Sequence, residues 1–100
     1  MDLEERRKKF AKWMDEYMKS VNLSLEEAFA LSYFYGYEDC IAYRNLTAAP
    51  EEKRKKFARW MVERMESVNM SLEEAFALSY FYGYQDCIVD HNLTAEPVIN

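Results

Sequence analysis

Apolar and polar residues recur with helical spacing along most of the chain and predict four helices. Residues 3–21 carry an apolar side chain every three or four positions, with charged residues between them, as in an amphipathic helix. Residues 25–44 differ, because their central stretch, 28–37, holds ten consecutive uncharged side chains. A helix that is apolar all round is buried on more than one side. We therefore expect the second helix at the centre of the fold and the first at its flank.

The chain contains the same unit twice. A shift of 47 positions lays residues 3–49 over residues 50–96, and 35 of the 47 aligned pairs are identical. A repeat of this length indicates two copies of one structural unit, so helices three and four should match helices one and two. Ser24 and Ser71 are each followed three residues later by Glu, which marks the start of a helix after a short connection. Short connections predict that consecutive helices are antiparallel neighbours.

These patterns predict an all-α fold. Only two Gly and two Pro occur in 100 residues, too few for the many turns of an all-β domain. We expect a four-helix up-down-up-down bundle made of two near-identical antiparallel helical hairpins with pseudo-two-fold symmetry. It should form one domain over residues 1–94, followed by a C-terminal tail over 95–100.

A row of small residues recurs every four positions along each central helix. Glycine inside a helix costs about 1 kcal/mol relative to alanine, and a close approach of two backbones gives it a reason. We expect the two central helices to cross at Gly36 and Gly83. In an antiparallel crossing, Cys40 and Cys87 lie on opposite sides, which disfavours a disulfide. The helix-crossing row consists of Ala28, Ser32, Gly36, Cys40, Ala75, Ser79, Gly83 and Cys87.

Tyrosines are concentrated in the same two segments, and buried phenols need hydrogen-bond partners. The favoured interpretation is that the rings pack in the core and their hydroxyls reach water or acidic residues at its edge. The alternative is a ligand cavity or a partner surface lined with phenols. A partner surface would suit a homodimer or a helical protein partner. Its residues would be Tyr35, Tyr37, Tyr82 and Tyr84.

Two basic runs, 6–12 and 53–59, contain ten of the 13 cationic residues. Basic residues interleaved with aromatic ones can bind nucleic acid or an anionic membrane surface. Glu-before-Lys pairs four residues apart and a formal charge of −5 favour instead a solvated helix face, so nucleic acid is disfavoured. The candidate anion-binding residues are Arg6, Lys9, Lys12, Lys53, Lys56 and Arg59.

The sequence predicts no enzyme, cofactor or metal site. Cys87 and His91 have the spacing of two metal ligands on one helix, but the chain holds a single His and lacks a four-ligand set. Two distant cysteines and a charged N-terminus predict a cytoplasmic protein, or an expression host's cytoplasm for an engineered chain. No apolar run approaches the roughly 20 residues of a membrane span.

The helix starts resemble those of computationally designed helical proteins. Residues 24–28 and 71–75 read SLEEA, and residues 49–56 read APEEKRKK, which are capped starts with Glu before Lys, as design heuristics prescribe. The resemblance implies an engineered, non-enzymatic scaffold whose role is its own stable fold. The interior departs from it, because designed cores use Tyr, Met and Cys sparingly.

A natural origin by gene duplication is the alternative. Every differing pair of the repeat except Tyr17/Arg64 is separated by a single nucleotide in the genetic code. A natural chain of this kind would be a helical interaction or homodimerisation module. A nucleic-acid binder acting through residues 6–12 and 53–59 is the second alternative.

Overall fold

The computed structural model describes residues 2–42 and 49–92, and within these ranges the chain forms only α-helices and connections. The all-α prediction is confirmed, and each helix begins within one residue of its predicted start. The predicted tail over 95–100 lies outside the described residues. The helices are α1 (Leu3–Ser20), α2 (Leu25–Ile41), α3 (Glu51–Ser67) and α4 (Leu72–Asp90).

The starts of α2 and α4 are fixed by reciprocal capping. The Ser24 hydroxyl accepts from the Glu27 backbone N–H at 3.1 Å, and the Glu27 carboxylate accepts from the Ser24 N–H at 3.0 Å. Ser71 and Glu74 form the same pair of bonds on α4. These hydrogen bonds hold the pKa of both glutamates below its usual value. The capping boxes that the sequence predicts are present at both helices.

α2 and α4 form the centre, because they pack on each other more extensively than any other two of the described helices. A Cβ built on Gly36 would overlap the backbone carbonyl oxygen of Tyr80. A Cβ built on Gly83 would overlap the carbonyl oxygen of Tyr33 in the same way. The two glycines therefore lie where the two backbones come closest, which explains their presence inside helices.

The two central helices run in the same direction. The Tyr33 hydroxyl on α2 donates to the Asp86 carboxylate on α4. One turn further along both helices, the Tyr37 hydroxyl donates to Asp90 at 2.8 Å. Because the order of the two bonds is the same on both helices, the helix axes point the same way.

The two cysteines lie together at the C-terminal part of this helix pair. Cys40 and Cys87 are buried in one apolar cluster and are not joined by a disulfide. Their predicted placement on opposite sides of the crossing is wrong, because that prediction assumed an antiparallel pair.

Each flanking helix packs on the central helix of the other repeat. α1 lies against α4 and α3 lies against α2, whereas the backbones of α1 and α2, like those of α3 and α4, come close at few positions. The prediction that consecutive helices pack as hairpins is therefore wrong. Large rings explain the separation: Trp13 on α1 and Tyr35 on α2 meet edge to face, 5.7 Å apart between centroids, and hold the two backbones apart.

Ring contacts fix this crosswise arrangement. The Phe10 ring on α1 lies 5.0 Å from the Tyr80 ring on α4. The matching Phe57 ring on α3 lies 4.7 Å from the Tyr33 ring on α2. The apolar stripe of each amphipathic helix is thus buried against the other repeat.

The buried side chains form two clusters. The first joins the N-terminal halves of α2 and α4 to the flanking helices, and the second joins their C-terminal halves. The first cluster is Ala11, Met14, Ala28, Phe29, Ala58, Met61, Ala75 and Phe76. The second is Tyr33, Tyr37, Cys40, Ile41, Ala49, Tyr84, Cys87 and Ile88.

None of the described helices has the length and apolar character that a membrane crossing requires.

Candidate interaction surfaces

The small-residue row belongs to the interior. All eight of its residues are buried. The hydroxyl of Ser32 donates to the carbonyl of Ala28 at 2.8 Å, and Ser79 donates to Ala75 at 2.7 Å. Each serine is therefore satisfied within its own helix, so the row packs helix on helix and offers no polar atom to a ligand.

Two buried tyrosines bridge the central helices. Tyr33 donates to Asp86, and Tyr80 donates to Asp39. Burial raises the pKa of both phenols well above the usual value, and donation to a carboxylate raises it further. Both hydroxyls therefore stay protonated and act as donors. The interpretation that core phenols reach acidic residues at the edge is confirmed for this pair.

The predicted tyrosine surface is only partly exposed. Tyr37 and Tyr84 are 2% and 0% exposed, so their assignment to an exposed partner surface is wrong. The parallel arrangement of α2 and α4 turns both side chains into the second apolar cluster. Tyr35 is 37% exposed and Tyr82 is half-buried, which leaves these two at the surface.

A polar group surrounds Tyr37 near the end of α4. Asp90 accepts from Tyr37 at 2.8 Å and from the Lys53 ammonium at 2.5 Å. His91 Nε2 lies 3.4 Å from the Tyr37 hydroxyl. Burial pushes the pKa of Asp90 upward, but the bonds from Lys53 and Tyr37 lower it more, so its net pKa lies below the usual value. Asp90 is therefore an ionised acceptor that ties α3 to α4.

Trp13 is 44% exposed, although its ring lies within an aromatic group on α1 and α2. Its ring stacks on Tyr17 at 5.0 Å and 13° and meets Tyr35 edge to face. Phe10 lies 5.7 Å from both the Trp13 and Tyr35 rings. We call this group, Phe10, Trp13, Tyr17 and Tyr35, the first aromatic surface.

The second aromatic surface, formed by Phe57, Trp60, Arg64 and Tyr82, repeats this arrangement on α3 and α4. Trp60 is 42% exposed and meets Tyr82 edge to face at 5.6 Å and 85°. Arg64 occupies the place of the first surface's stacked tyrosine, and its guanidinium lies 5.5 Å from the Trp60 ring centre. The tryptophan face thus accepts a ring in one repeat and a cation in the other.

The basic runs divide into an inner and an outer set. The Arg7 guanidinium lies over the Phe81 ring at 4.8 Å, and Arg54 lies over Phe34 at 4.6 Å. Arg6 lies 5.8 Å from the Tyr84 ring centre. These half-buried cations bind the opposite repeat, so they are not free to bind an external anion.

The outer set of basic residues is solvent-exposed. The spacing predicts four Glu-before-Lys pairs. Those of Lys8 with Glu4, at 3.8 Å, and of Lys55 with Glu51, at 3.3 Å, are formed. The ion pairs of the described residues include neither Lys9 with Glu5 nor Lys56 with Glu52. Arg59 lies 3.8 Å from a Glu26 carboxylate oxygen on α2. Within the described residues, the predicted anion-binding side chains that remain exposed without such an ion pair are Lys9, Lys12 and Lys56. Of the six residues that we predicted, Arg6 and Lys53 are half-buried, and Lys53 pairs with Asp90.

A groove of about 600 Å³ lies between α1 and the N-terminal half of α4. One wall carries Arg7, Lys8 and Lys12 together with Glu4, so its charge is positive on balance, and the opposite wall carries Glu73 and Glu74. The walls have opposite charges, so the groove does not concentrate charge of one sign. Its apolar lining is Ala11, Met70, Ala77 and Leu78.

The exposure of the two tryptophans was not predicted from the sequence, because the helical spacing of apolar residues over 3–21 places Trp13 on the apolar face of α1. At 100° per residue, Trp13 and Tyr17 lie to one side of the buried Met14. A helical projection of the sequence could therefore have predicted this exposure, because it shows that the apolar face of α1 is wider than one neighbouring helix covers.

Comparisons with known proteins identify no relative. No protein-family model matches the chain, and neither the curated proteins nor the solved structures contain a significant match.

Among residues 2–42 and 49–92, no three His, Cys, Asp or Glu side chains are grouped as metal ligands.

Proposed function

We propose that this chain is a non-enzymatic helical scaffold. The observation that carries the proposal is that polar side chains at its centre bind one another. Tyr33, Tyr80 and their aspartate partners join α2 to α4, and the buried serines bond within their helices. Polar groups used in this way stabilise one arrangement of the helices and are unavailable for chemistry on a substrate.

The proposal includes an approximate two-fold axis between α2 and α4 and an up-down-up-down order of helices. Its support is that contacts occur in pairs with the repeats exchanged. The overlap that a Cβ on Gly36 would make with Tyr80 corresponds to that of Gly83 with Tyr33. The stacking of Arg7 on Phe81 likewise corresponds to that of Arg54 on Phe34.

A protein-interaction module is the second candidate, favoured by the exposed rings of Trp13 and Trp60. Tryptophan and tyrosine are enriched at interfaces, where one face of the ring is desolvated. The two aromatic surfaces would then bind a helical protein or a second copy of the chain.

Sedimentation velocity of the folded protein separates the two candidates. A scaffold stays monomeric from about 10 µM to about 1 mM, a range that reaches the weak end of binding affinities. An interaction module that uses its aromatic surfaces on itself forms a dimer, and the W13A/W60A variant abolishes that dimer while keeping its helical circular dichroism. A dimer that forms from folded monomer without unfolding and that resists W13A/W60A would contradict both.

A further inference from the structure

The contacts between the two repeats have the form of a homodimer interface. α1 packs on α4 and α3 packs on α2, so each repeat places its first helix against the second helix of the other. An interface in which each partner gives the same surface and receives the same surface is isologous. Here both partners belong to one chain.

The buried surface is also the same in both repeats. Every buried position of α1 and α2 has a buried and identical counterpart 47 residues later in α3 or α4. The pairs include Met14 with Met61 and Phe29 with Phe76, whose phenyl rings lie 5.6 Å apart across the two repeats. The interior of a repeat therefore fits either repeat of another molecule as it fits its own partner repeat.

The two bonds from a bridging tyrosine to an aspartate are equally interchangeable, whereas the bond from Tyr37 to Asp90 is not, because the position that matches Asp90 in the first repeat is Tyr43. Tyr33 binds Asp86 as Tyr80 binds Asp39, and all four residues are the same in both copies. The residues of the two glycine contacts are identical as well. An exchanged pair of repeats would keep each of these bonds.

We propose that two copies of this chain exchange repeats, so that each repeat pairs with a repeat of the second molecule across the same interface. The closed chain and the exchanged dimer contain the same contacts between repeats. Linkage of the two repeats in one chain then favours the closed form through an effective concentration on the order of millimolar. Exchange of identical elements is a low-cost route to dimers of this kind.

The test refolds the full chain from denaturant at about 10 µM, far below the effective concentration, and at about 1 mM, close to it. Both samples are then diluted to one concentration and separated by size. Mass action predicts that the ratio of dimer to monomer rises in proportion to the concentration of free monomer at refolding. Because the two chains separate only when the interface unfolds, the dimer persists after dilution. At low protein concentration, its thermal unfolding midpoint should equal that of the monomer. Refolding that gives only monomer at both concentrations would overturn the proposal.

Co-refolding of unlabelled and ¹⁵N-labelled chains identifies the exchange. Native mass spectrometry should show dimers of mixed mass after co-refolding and none after the two folded dimers are simply mixed. The W13A/W60A variant, which removes the exposed rings and leaves the buried positions unchanged, should give the same share of dimer. A dimer that forms on mixing without unfolding, or that W13A/W60A abolishes, would show surface association and contradict exchange.

This test is independent of the scaffold proposal. The scaffold test uses protein that has stayed folded, whereas exchange occurs only through unfolding. A self-associating folded protein would therefore refute the scaffold and leave exchange to be decided by the labelled chains.

Discussion

The interior and the exterior of the two repeats differ in how strictly they match. All buried positions of the four helices are identical between the repeats. Within the four helices, positions that differ lie on the exposed or half-buried faces, such as Asp15, which pairs with Lys19 at 3.3 Å, and Val62, which packs at the edge of the first cluster. Packing across the repeat interface constrains the interior, because each repeat must fit the other in the same way.

The exposed faces of the two repeats carry different side chains on the same arrangement of helices. Tyr17 stacks on Trp13 in the first repeat, whereas Arg64 lies over Trp60 in the second. The helices beneath these residues make the same contacts. Changes at matched interior positions should therefore have equal effects in both repeats, and changes at the aromatic surfaces should have unequal ones.

The largest effect is expected for Gly36→Ala and Gly83→Ala. Each added Cβ would overlap a backbone carbonyl oxygen of the other repeat, which cannot move as a side-chain tip can. We expect each variant to lose about 3 kcal/mol of unfolding free energy, measured by urea denaturation. The two losses should agree within error.

Ser32→Ala is the matched control for the glycine variants. Its hydroxyl donates within its own helix, so its loss should cost well under about 1 kcal/mol. Stabilisation by Gly36→Ala, as expected for a glycine in an open helix, would contradict the close approach of α2 and α4.

Removal of the bridging phenol hydroxyls should have the next largest effect. Tyr33→Phe and Tyr80→Phe each leave a half-buried aspartate without its donor. A hydrogen bond to a charged group is worth about 2 kcal/mol, and we expect losses of that size in the free energy of unfolding. Tyr35→Phe, on an exposed ring, is the control and should change little. Equal stability of all three variants would refute the bridges.

Variants in the two aromatic surfaces should lose different amounts of stability. Arg64→Ala removes the cation over Trp60 and should cost about 0.5 kcal/mol. Tyr17→Ala removes a stacked ring and should cost about 1 kcal/mol. Each loss is measured by urea denaturation followed by tryptophan fluorescence. Trp13 is replaced by Phe when the second surface is studied and Trp60 when the first is, so that the remaining tryptophan reports on the surface that is changed. A larger loss for Arg64→Ala than for Tyr17→Ala would reverse the predicted order.

The smallest effect concerns Asp90 and pH. Its pKa lies below the usual value of 3.8 in the folded chain, so its bonds stabilise the fold above that pH and this contribution disappears as the pH falls further. Asp90→Asn should therefore reduce the acid sensitivity of unfolding below about pH 4 by about 0.5 kcal/mol or less. Lys53→Gln should have a similar effect, because it removes the main partner. A steeper loss of stability in acid for Asp90→Asn would contradict this account.

Helical periodicity and capping were enough to predict the elements of the fold. Ser24 and Ser71 marked two helix starts, and the uncharged stretches marked the central helices. The capping and periodicity patterns could not predict which helix α1 packs against. The short turn after Ser20 allows α1 and α2 to pack closely or to lie apart. That choice depends on the sizes of rings such as Trp13 and Tyr35, which meet only after folding.

The candidate surfaces were predicted less well than the helices. Tyr37 and Tyr84 could be identified as central, but their burial follows from the parallel orientation of α2 and α4. Orientation of non-consecutive helices depends on contacts far apart in sequence, such as that of Tyr37 with Asp90. Neither periodicity nor charge pattern within one helix contains this information.

The crosswise packing of the repeats is tested most directly by sequence-specific nuclear Overhauser contacts in solution. The structure predicts contacts from the Gly36 α-protons to Tyr80, from the Phe10 ring to the Tyr80 ring and from the Phe57 ring to the Tyr33 ring. Contacts of Phe10 with Tyr33 and of Phe57 with Tyr80, together with a Gly36 that has no neighbour on α4, would show closed hairpins and contradict this arrangement.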